Sequence, residues 1–160
     1  MKILVFSDSH GNHSNMEFAL TSHGASVGMV IFLGDGVRDI EYIKGRHPAI
    51  PFVISEGNFE RPFGEVPMIF DEYGLKFFCA HGHTFGVKTG MEKIKKAALD
   101  VEADILLYGH THKPDNQTVQ SGDRNLLIFN PGSVGSGYHP SYGVIDIPKK
   151  GVYVASHAIL

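Results

Sequence analysis

The chain contains 160 residues, of which 42% are apolar and 19% are charged. This length is enough to bury one sizeable core and short for two, so we expect a single domain spanning residues 1–160. The formal charge of −3, without a dense block of lysine or arginine, argues against binding nucleic acid through its backbone charge alone. A small substrate fits this composition better.

The single cysteine and the start of the chain bear on the cellular compartment. Cys79 has no partner for a disulfide within the chain and lies in an apolar run, which predicts a buried thiol and fits a reducing cytoplasm. Four apolar residues at positions 3–6 separate Lys2 from Ser7-Asp8, too few for a signal-peptide core or a membrane span. We therefore expect a cytoplasmic protein that does not associate with membranes.

Periodicity predicts strands and helices along the whole chain. Short apolar runs rich in β-branched or aromatic residues predict buried strands at residues 3–6, 29–33, 52–54, 76–80, 105–108 and 126–129. Helical spacing predicts crossover helices at residues 15–22 and 90–99. Turn residues predict hairpins at positions 73–74, 122–123 and 148–151. An early βαβ portion followed by hairpins favours an α/β fold with two packed sheets.

Metal-capable side chains directly follow five of these predicted strands. In chain order they are Asp8 and His10, then Asp35, then Asn58, then His81, then His110 and His112. Ligands of α/β sheets bind beyond the carboxyl ends of the strands, so these groups are expected to converge. In an extended segment, residues two apart point to the same side, so Asp8 is expected to reach one point with His10, and His110 with His112.

Each fragment has a simpler explanation when taken alone. A Gly-Asp-Gly triplet such as the one around Asp35 is usually a turn, and a lone histidine such as His10 or His81 is usually a hydrogen-bonded surface or core residue. Gly57-Asn58 could be an ordinary left-handed turn. Five strand ends that all carry Asp, Asn or His are much harder to explain separately, and together they favour a metal site.

The ordered motifs resemble those of the calcineurin-like metallophosphoesterases. The matching blocks are Asp8-Ser9-His10, Gly34-Asp35, Gly57-Asn58, His81-Gly82-His83 and Gly109-His110-Thr111-His112. The segment Asn130-Pro131-Gly132-Ser133 is similar to one that closes the fold near the site in small members. The resemblance is strongest to the small single-domain phosphodiesterase branch. It implies two packed mixed β-sheets flanked by helices, a four-layer α/β/β/α sandwich with the metal site at the carboxyl ends of strands.

The resemblance also implies a role for each ligand. Asp8, His10 and His112 would hold a first divalent metal ion, and Asn58, His81 and His110 a second. Asp35 would bridge both. Imidazole-rich sites suit transition metals better than magnesium, so manganese is the first expectation, with nickel, iron, cobalt or zinc as alternatives.

This site predicts a metal-dependent phosphodiesterase that hydrolyses a small phosphate ester. A hydroxide bridging the two metals would attack phosphorus, and a net site charge of about +1 would attract the ester. Asn12 and Arg61 are candidate substrate-binding residues, as is His13, although a solvated loop role is equally compatible with each. Loops 60–67 and 135–141 are expected to line the pocket.

One position departs from the resemblance. Many members of the broad family carry, after the asparagine of the third block, a histidine that is taken to protonate the leaving group, whereas this chain has Phe59. His83 is therefore a candidate catalytic residue that orients a ligand or shuttles a proton, with a purely structural role as its alternative.

Other functions remain open at this point. A non-catalytic protein-interaction scaffold of the same fold would not need seven intact ligands, and a phosphomonoesterase would use the same chemistry. An enzyme that cleaves RNA or DNA is expected to have a basic groove. The one lysine cluster, at residues 93–96, is more simply explained as the solvated face of a helix. Apolar strand edges in so small a domain make a homodimer or higher homo-oligomer an alternative to a monomer.

Overall fold

The computed structural model describes residues 1–137 and 139–160. One residue of the expected pocket loop 135–141, Tyr138, lies outside the described part. The strands are Lys2–Phe6 (β1), Val27–Phe32 (β2), Phe52–Ile54 (β3), Met68–Glu72 (β4), Leu75–Ala80 (β5), Ile105–Tyr108 (β6), Asp115–Ser121 (β7), Arg124–Asn130 (β8), Ser141–Lys149 (β9) and Val152–Ile159 (β10). The helices are Ser14–His23 (α1), Val37–Arg46 (α2) and Glu92–Asp100 (α3), with a short 3-10 helix at Gly24–Ser26.

The strands form two mixed sheets. The first sheet has the order β10-β9-β1-β2-β3, with β1, β2 and β3 parallel and β9 antiparallel to β1. The second has the order β4-β5-β6-β8-β7, with β5, β6 and β8 parallel and the two edge strands antiparallel. The six predicted strands and three predicted hairpins are confirmed within a few residues.

Three apolar clusters hold the layers together. Side chains such as Ile3, Ile31, Phe77 and Phe129 fill the space between the two sheets. A second cluster packs α1 and α2 against the outer face of the first sheet, and a third packs α3 against the outer face of the second. The four-layer α/β/β/α sandwich is therefore confirmed. The carboxyl ends of the parallel strands of both sheets lie together at one shared edge of the sandwich.

Some elements were not predicted, for physical reasons. Strand β7 is polar and largely exposed, so it has no apolar run, and it forms because the turn at residues 122–123 folds it onto the buried strand β8. Strand β4 is a half-exposed edge strand that pairs only with β5. Helix α2 buries only Ile40 and Ile43, and its apolar stripe is narrow.

Candidate metal centre

The loops after β1, β2, β3, β5 and β6 bring all the predicted ligands to the shared edge of the two sheets. Asp8, His10 and His112 form a first group, in which one ligand atom of each lies within 4.8 Å of the others. His112 Nε2 is 3.1 Å from Asp8 Oδ1 and 3.2 Å from His10 Nε2. Asp8 is fully buried, whereas the two imidazoles lie at the rim.

A second group contains Asp35, His81 and His110, again within 4.8 Å of one another. His81 Nε2 is 3.1 Å from His110 Nδ1, 3.2 Å from Asn58 Oδ1 and 3.4 Å from Asp35 Oδ2. The same nitrogen is 3.9 Å from Asp8 Oδ1 in the first group. The two groups are therefore adjacent, and Asn58 belongs with the second.

The backbone at these ligands is not extended. Among the described residues, seven that are not glycine have positive φ, and five of them are candidate ligands: Asp8 (56°), His10 (46°), Asp35 (57°), His110 (66°) and His112 (58°). The expectation that His110 and His112 point to one place from an extended segment is wrong, because they join different groups. Left-handed backbone costs free energy for such residues, and its concentration here is typical of a functional site.

The Asp8 carboxylate has one oxygen held and one left without a hydrogen bond. Ser7 Oγ and the backbone N–H of His110 donate to Oδ2, at 2.5 and 3.1 Å. Oδ1 is buried, has no hydrogen-bond partner among the described residues, and faces His112 and His10. A buried anionic oxygen without a donor is costly, so this arrangement fits a cation at the first group.

His81 is oriented as a ligating imidazole. Its Nδ1 lies 2.7 Å from the carbonyl oxygen of Leu33, and since a carbonyl only accepts, Nδ1 carries the proton and donates. Nε2 is then the nitrogen that faces Asp35, Asn58 and His110. Hydrogen bonding of the other ring nitrogen to a carbonyl is the usual way in which a metal-ligating histidine is fixed.

The charges in the second group also fit a cation. Burial would raise the pKa of Asp35, but its bonds with the His81 imidazole and the Phe59 backbone N–H lower it. Burial would lower the pKa of His81, but the carboxylates of Asp35 and Asp8 raise it above its ordinary value. The surroundings of His81 therefore favour a positive charge. Burial and the nearby His81 lower the pKa of His110 to about 4, which keeps its imidazole neutral and able to ligate.

Close backbone approach explains why glycine precedes Asn58. A Cβ on Gly57 would overlap the carboxylate and the backbone nitrogen of Asp35. The loops after β2 and β3 therefore touch directly, and any larger residue would push Asn58 away from Asp35.

The remaining predicted residues lie around this centre. The imidazole centroid of His83 is 5.4 Å from that of His81, and its Nε2 donates to the backbone oxygen of Arg61 at 2.8 Å. Arg61 Nε donates to Glu56 in an exposed ion pair.

The Asn12 backbone N–H donates to Ser9 O, which closes the turn after the first ligands. The segment at residues 130–133 does reach the site, since Ser133 Oγ donates to the backbone oxygen of Asp8 at 2.8 Å.

Sequence reasoning missed the acidic residues that organise the ligand loops. Glu60 accepts four backbone N–H bonds, from Asp35, Gly36, Val37 and Gly57. Burial would raise the pKa of Glu60, but these donors lower it, so it stays ionised. Asp39 accepts from Ser9 Oγ and Gly11 N in the same way, and Glu65 from Gly82 and Thr84. For Asp39 and Glu60 the sequence offered a signal, since each carboxylate closely follows the glycine of a ligand loop, whereas Glu65 is 17 residues from Gly82.

The two sandwiched sheets and the paired His/Asp groups define a class of α/β metal-binding protein. The sequence matches the profile of the calcineurin-like phosphoesterase superfamily domain over residues 1–150, and the chain belongs to this superfamily. It is 29% identical over 137 residues to the Probable metallophosphoesterase YsnB of Bacillus subtilis, covering 84% of this chain and 75% of that protein.

Solved structures agree on the fold. A novel archaeal phosphodiesterase superposes with a TM-score of 0.75 at 24% identity, covering 100% of both chains. A single mutant of Vps29 from Entamoeba histolytica superposes with a TM-score of 0.73 at 21% identity, covering 100% of this chain and 99% of that one. At these identities the likeness shows the fold alone.

Family membership and the site together support a coarse functional statement. The superfamily binds divalent metals, and this chain presents two His/Asp groups that could hold them. Membership supports metal-dependent hydrolysis of a phosphate ester. Within the described residues, no helix has both the length and the apolar character required to cross a membrane.

Proposed function

We propose that this protein is a two-metal phosphodiesterase that hydrolyses a small phosphate ester. The observation that carries the proposal is the pair of adjacent groups, Asp8, His10 and His112 beside Asp35, His81 and His110, with Asn58 next to the second. A scaffold that had lost catalysis would have no need for seven ligand-capable side chains at five strand ends. The resemblance in fold to Vps29 keeps the scaffold as the alternative.

The proposed assignment gives Asp8, His10 and His112 to one ion and Asn58, His81 and His110 to the other. Asp35 is proposed to bridge, since its Oδ2 is 3.4 Å from His81 Nε2 of the second group and it lines the same pocket as His10 of the first. When bound, two divalent ions polarise the phosphoryl group, stabilise the leaving oxygen and acidify water. The mixed nitrogen and oxygen donors support manganese as the first choice, with nickel, iron, cobalt or zinc as alternatives.

Removal of metal ions is expected to abolish hydrolysis. Protein stripped with a chelator should not cleave bis(p-nitrophenyl) phosphate, and added Mn²⁺ should restore release of p-nitrophenolate, with Ni²⁺, Fe²⁺, Co²⁺ and Zn²⁺ tested in parallel. The monoester p-nitrophenyl phosphate, assayed alongside, measures the preference between diester and monoester. If none of these ions produces turnover of either ester, the enzymatic proposal fails and the scaffold alternative gains support.

His83 is proposed to position the site, as an alternative to its expected role as a proton donor. Its Nε2 is already donating to Arg61 O, and its Nδ1 is 3.4 Å from Glu65 Oε2. Both nitrogens therefore contact groups other than substrate. The bond to Arg61 O ties the loop after Asn58 to the loop after His81.

Replacement of His83 by Gln and by Ala separates these two roles. A glutamine amide can still donate to Arg61 O, so His83→Gln should retain kcat within about threefold, whereas His83→Ala should lose about tenfold, the lower end for an outer partner of metal ligands. The readout is kcat as a function of pH. Loss of activity in both variants, together with loss of the basic limb of the pH profile, would instead identify His83 as the acid.

Asn12 and Arg61 remain proposed substrate-binding residues at the edge of the site. The guanidinium of Arg61 suits a phosphoryl oxygen, although the ion pair with Glu56 competes for it.

A cytoplasmic location remains a proposal supported by the buried, lone thiol of Cys79. Homo-oligomers remain a proposal supported by apolar side chains exposed on edge strands, such as Ile69 on β4 and Val154 on β10.

A further inference from the structure

An open pocket of about 720 Å³ adjoins the metal centre on the side of the first sheet. Two candidate ligands, His10 and Asp35, form one wall, and Phe59 and Arg38 form others. A phosphoryl group held at the metal centre would therefore have one of its ester groups directed towards this pocket. The chemistry of the pocket walls determines which ester group it accepts.

Phe59 presents an exposed aromatic face. Its side chain is 74% exposed, yet its backbone N–H donates to Asp35 Oδ1 at 3.0 Å, which ties it to the centre of the site. Its ring packs edge-on against His10, with ring centroids 5.3 Å apart at 74°. A large apolar surface left in water beside a catalytic centre is stabilised when a flat apolar group covers it.

Arg38 is a second side chain that lines this pocket. It is exposed, and among residues 1–137 and 139–160 no carboxylate lies within 4.0 Å of its guanidinium nitrogens. The neighbouring Asp39 carboxylate is engaged with Ser9 Oγ and Gly11 N. The guanidinium can therefore donate to the edge of a ligand ring or stack on it.

Resting on the proposed phosphodiesterase function, we propose that this pocket binds a planar heteroaromatic ring and that the substrate is a phosphodiester with a nucleobase on one ester group. An exposed aromatic face stacks with any base, and a nearby planar donor recognises ring nitrogens or carbonyls. Alkyl, glycerol and unsubstituted sugar esters have no aromatic ring that could stack on this face. In the reaction, water adds to phosphorus, the bond to one ester oxygen breaks, and that oxygen leaves as an alcohol with the proton from water.

The test uses two diesters that differ only in the base, the methyl esters of adenosine 5′-phosphate and of ribose 5-phosphate. Hydrolysis by the manganese-loaded protein is followed by ³¹P NMR of samples that have been quenched and freed of Mn²⁺, because this paramagnetic ion broadens phosphorus signals. The wild type should show kcat/KM about tenfold higher for the adenosine ester, as expected for one base stacked on one aromatic ring. Phe59→Leu keeps apolar bulk but removes the aromatic face, so it should reduce this preference to about twofold or less. Phe59→Trp keeps an aromatic face and should retain the preference.

A matched control comes from the same loop. Phe63 is 86% exposed and does not line the pocket, so Phe63→Leu should leave the preference unchanged. A second readout is independent of turnover. Calorimetric titration of the manganese-loaded protein should give a dissociation constant about tenfold lower for adenosine 5′-monophosphate than for ribose 5-phosphate, a difference that Phe59→Leu removes.

The outcomes separate this inference from the function on which it rests. If both diesters are hydrolysed with equal kcat/KM, or if Phe59→Leu keeps the wild-type preference, the pocket does not read a base and the inference fails while the phosphodiesterase stands. If Phe59→Leu lowers kcat/KM equally for both esters, the role of Phe59 is to support His10, and the inference of a base pocket is also overturned. If neither ester is hydrolysed but the nucleotide still binds more tightly through Phe59, the base pocket stands and the proposed activity fails.

Discussion

Asp35→Asn is expected to reduce metal-dependent kcat by at least about a thousandfold, well beyond the ten- to hundredfold typical of outer partners of metal ligands. The carboxylate belongs to the second group, where its Oδ2 is 3.4 Å from His81 Nε2, and it supplies one of the two buried negative charges of the centre. Asparagine has nearly the same shape but no charge, so it would leave the two proposed dications with only Asp8 as a carboxylate ligand. The measurement is hydrolysis of bis(p-nitrophenyl) phosphate at saturating Mn²⁺, together with the number of ions bound per chain.

Asp71→Asn is the control for this change. Asp71 is exposed on the edge strand β4, away from the metal centre, so its substitution should leave both kcat and metal content unchanged. A variant of Asp35 that still binds two ions and retains more than a tenth of the wild-type kcat would show that this residue does not bridge. Thermal unfolding of both variants establishes that the fold is retained.

Glu60→Gln is expected to weaken metal binding by about ten- to hundredfold, although Glu60 is not itself a proposed metal ligand. Its two carboxylate oxygens accept N–H bonds from Asp35 and Gly57 on one side and from Gly36 and Val37 on the other. In glutamine, one of these oxygens becomes an NH₂ group that faces two backbone donors. The loops after β2 and β3 should then separate, and Asp35 and Asn58 with them.

The readout for Glu60 is the Mn²⁺ dissociation constant, measured by competition with a chelator. The free energy of unfolding of the metal-free protein should fall by only about 1 kcal/mol, because the carboxylate lies partly in solvent. Glu41→Gln on the exposed face of α2 is the control and should change neither quantity. An unchanged dissociation constant in Glu60→Gln would show that these four bonds do not position the ligands.

Much of the fold could be predicted because it depends on local pattern. The apolar runs of β1, β2, β5 and β6 are buried on both faces, so they appear in the sequence as uninterrupted hydrophobic stretches. Strand β7 has no such stretch, since its residues face solvent and its position depends on pairing with β8. Polar edge strands of this kind carry little local signal.

The candidate ligands were also readable from the sequence, because polar side chains placed directly after buried strands have few alternative reasons to be there. Spacing along the chain did not give their grouping, which only the family resemblance predicted. His112 follows β6 in the second sheet, yet its imidazole lies 3.1 Å from Asp8 of the first sheet, 104 positions earlier in the chain, whereas His110 joins Asp35. A left-handed backbone at both histidines produces this separation.

The sequence by itself determined the residue types of the candidate centre: two carboxylates, one amide and four imidazoles, each following an apolar strand. Only the tertiary structure gave the distances within each group, the hydrogen bonds by which Glu60 joins two of the ligand loops, and the exposed position of Phe59 beside His10. The physical reason is that residue type and periodicity are local properties, whereas these contacts arise where two sheets pack and residues distant in the chain meet. The seven side chains could be named from the sequence, but their arrangement depends on the packing of the two sheets.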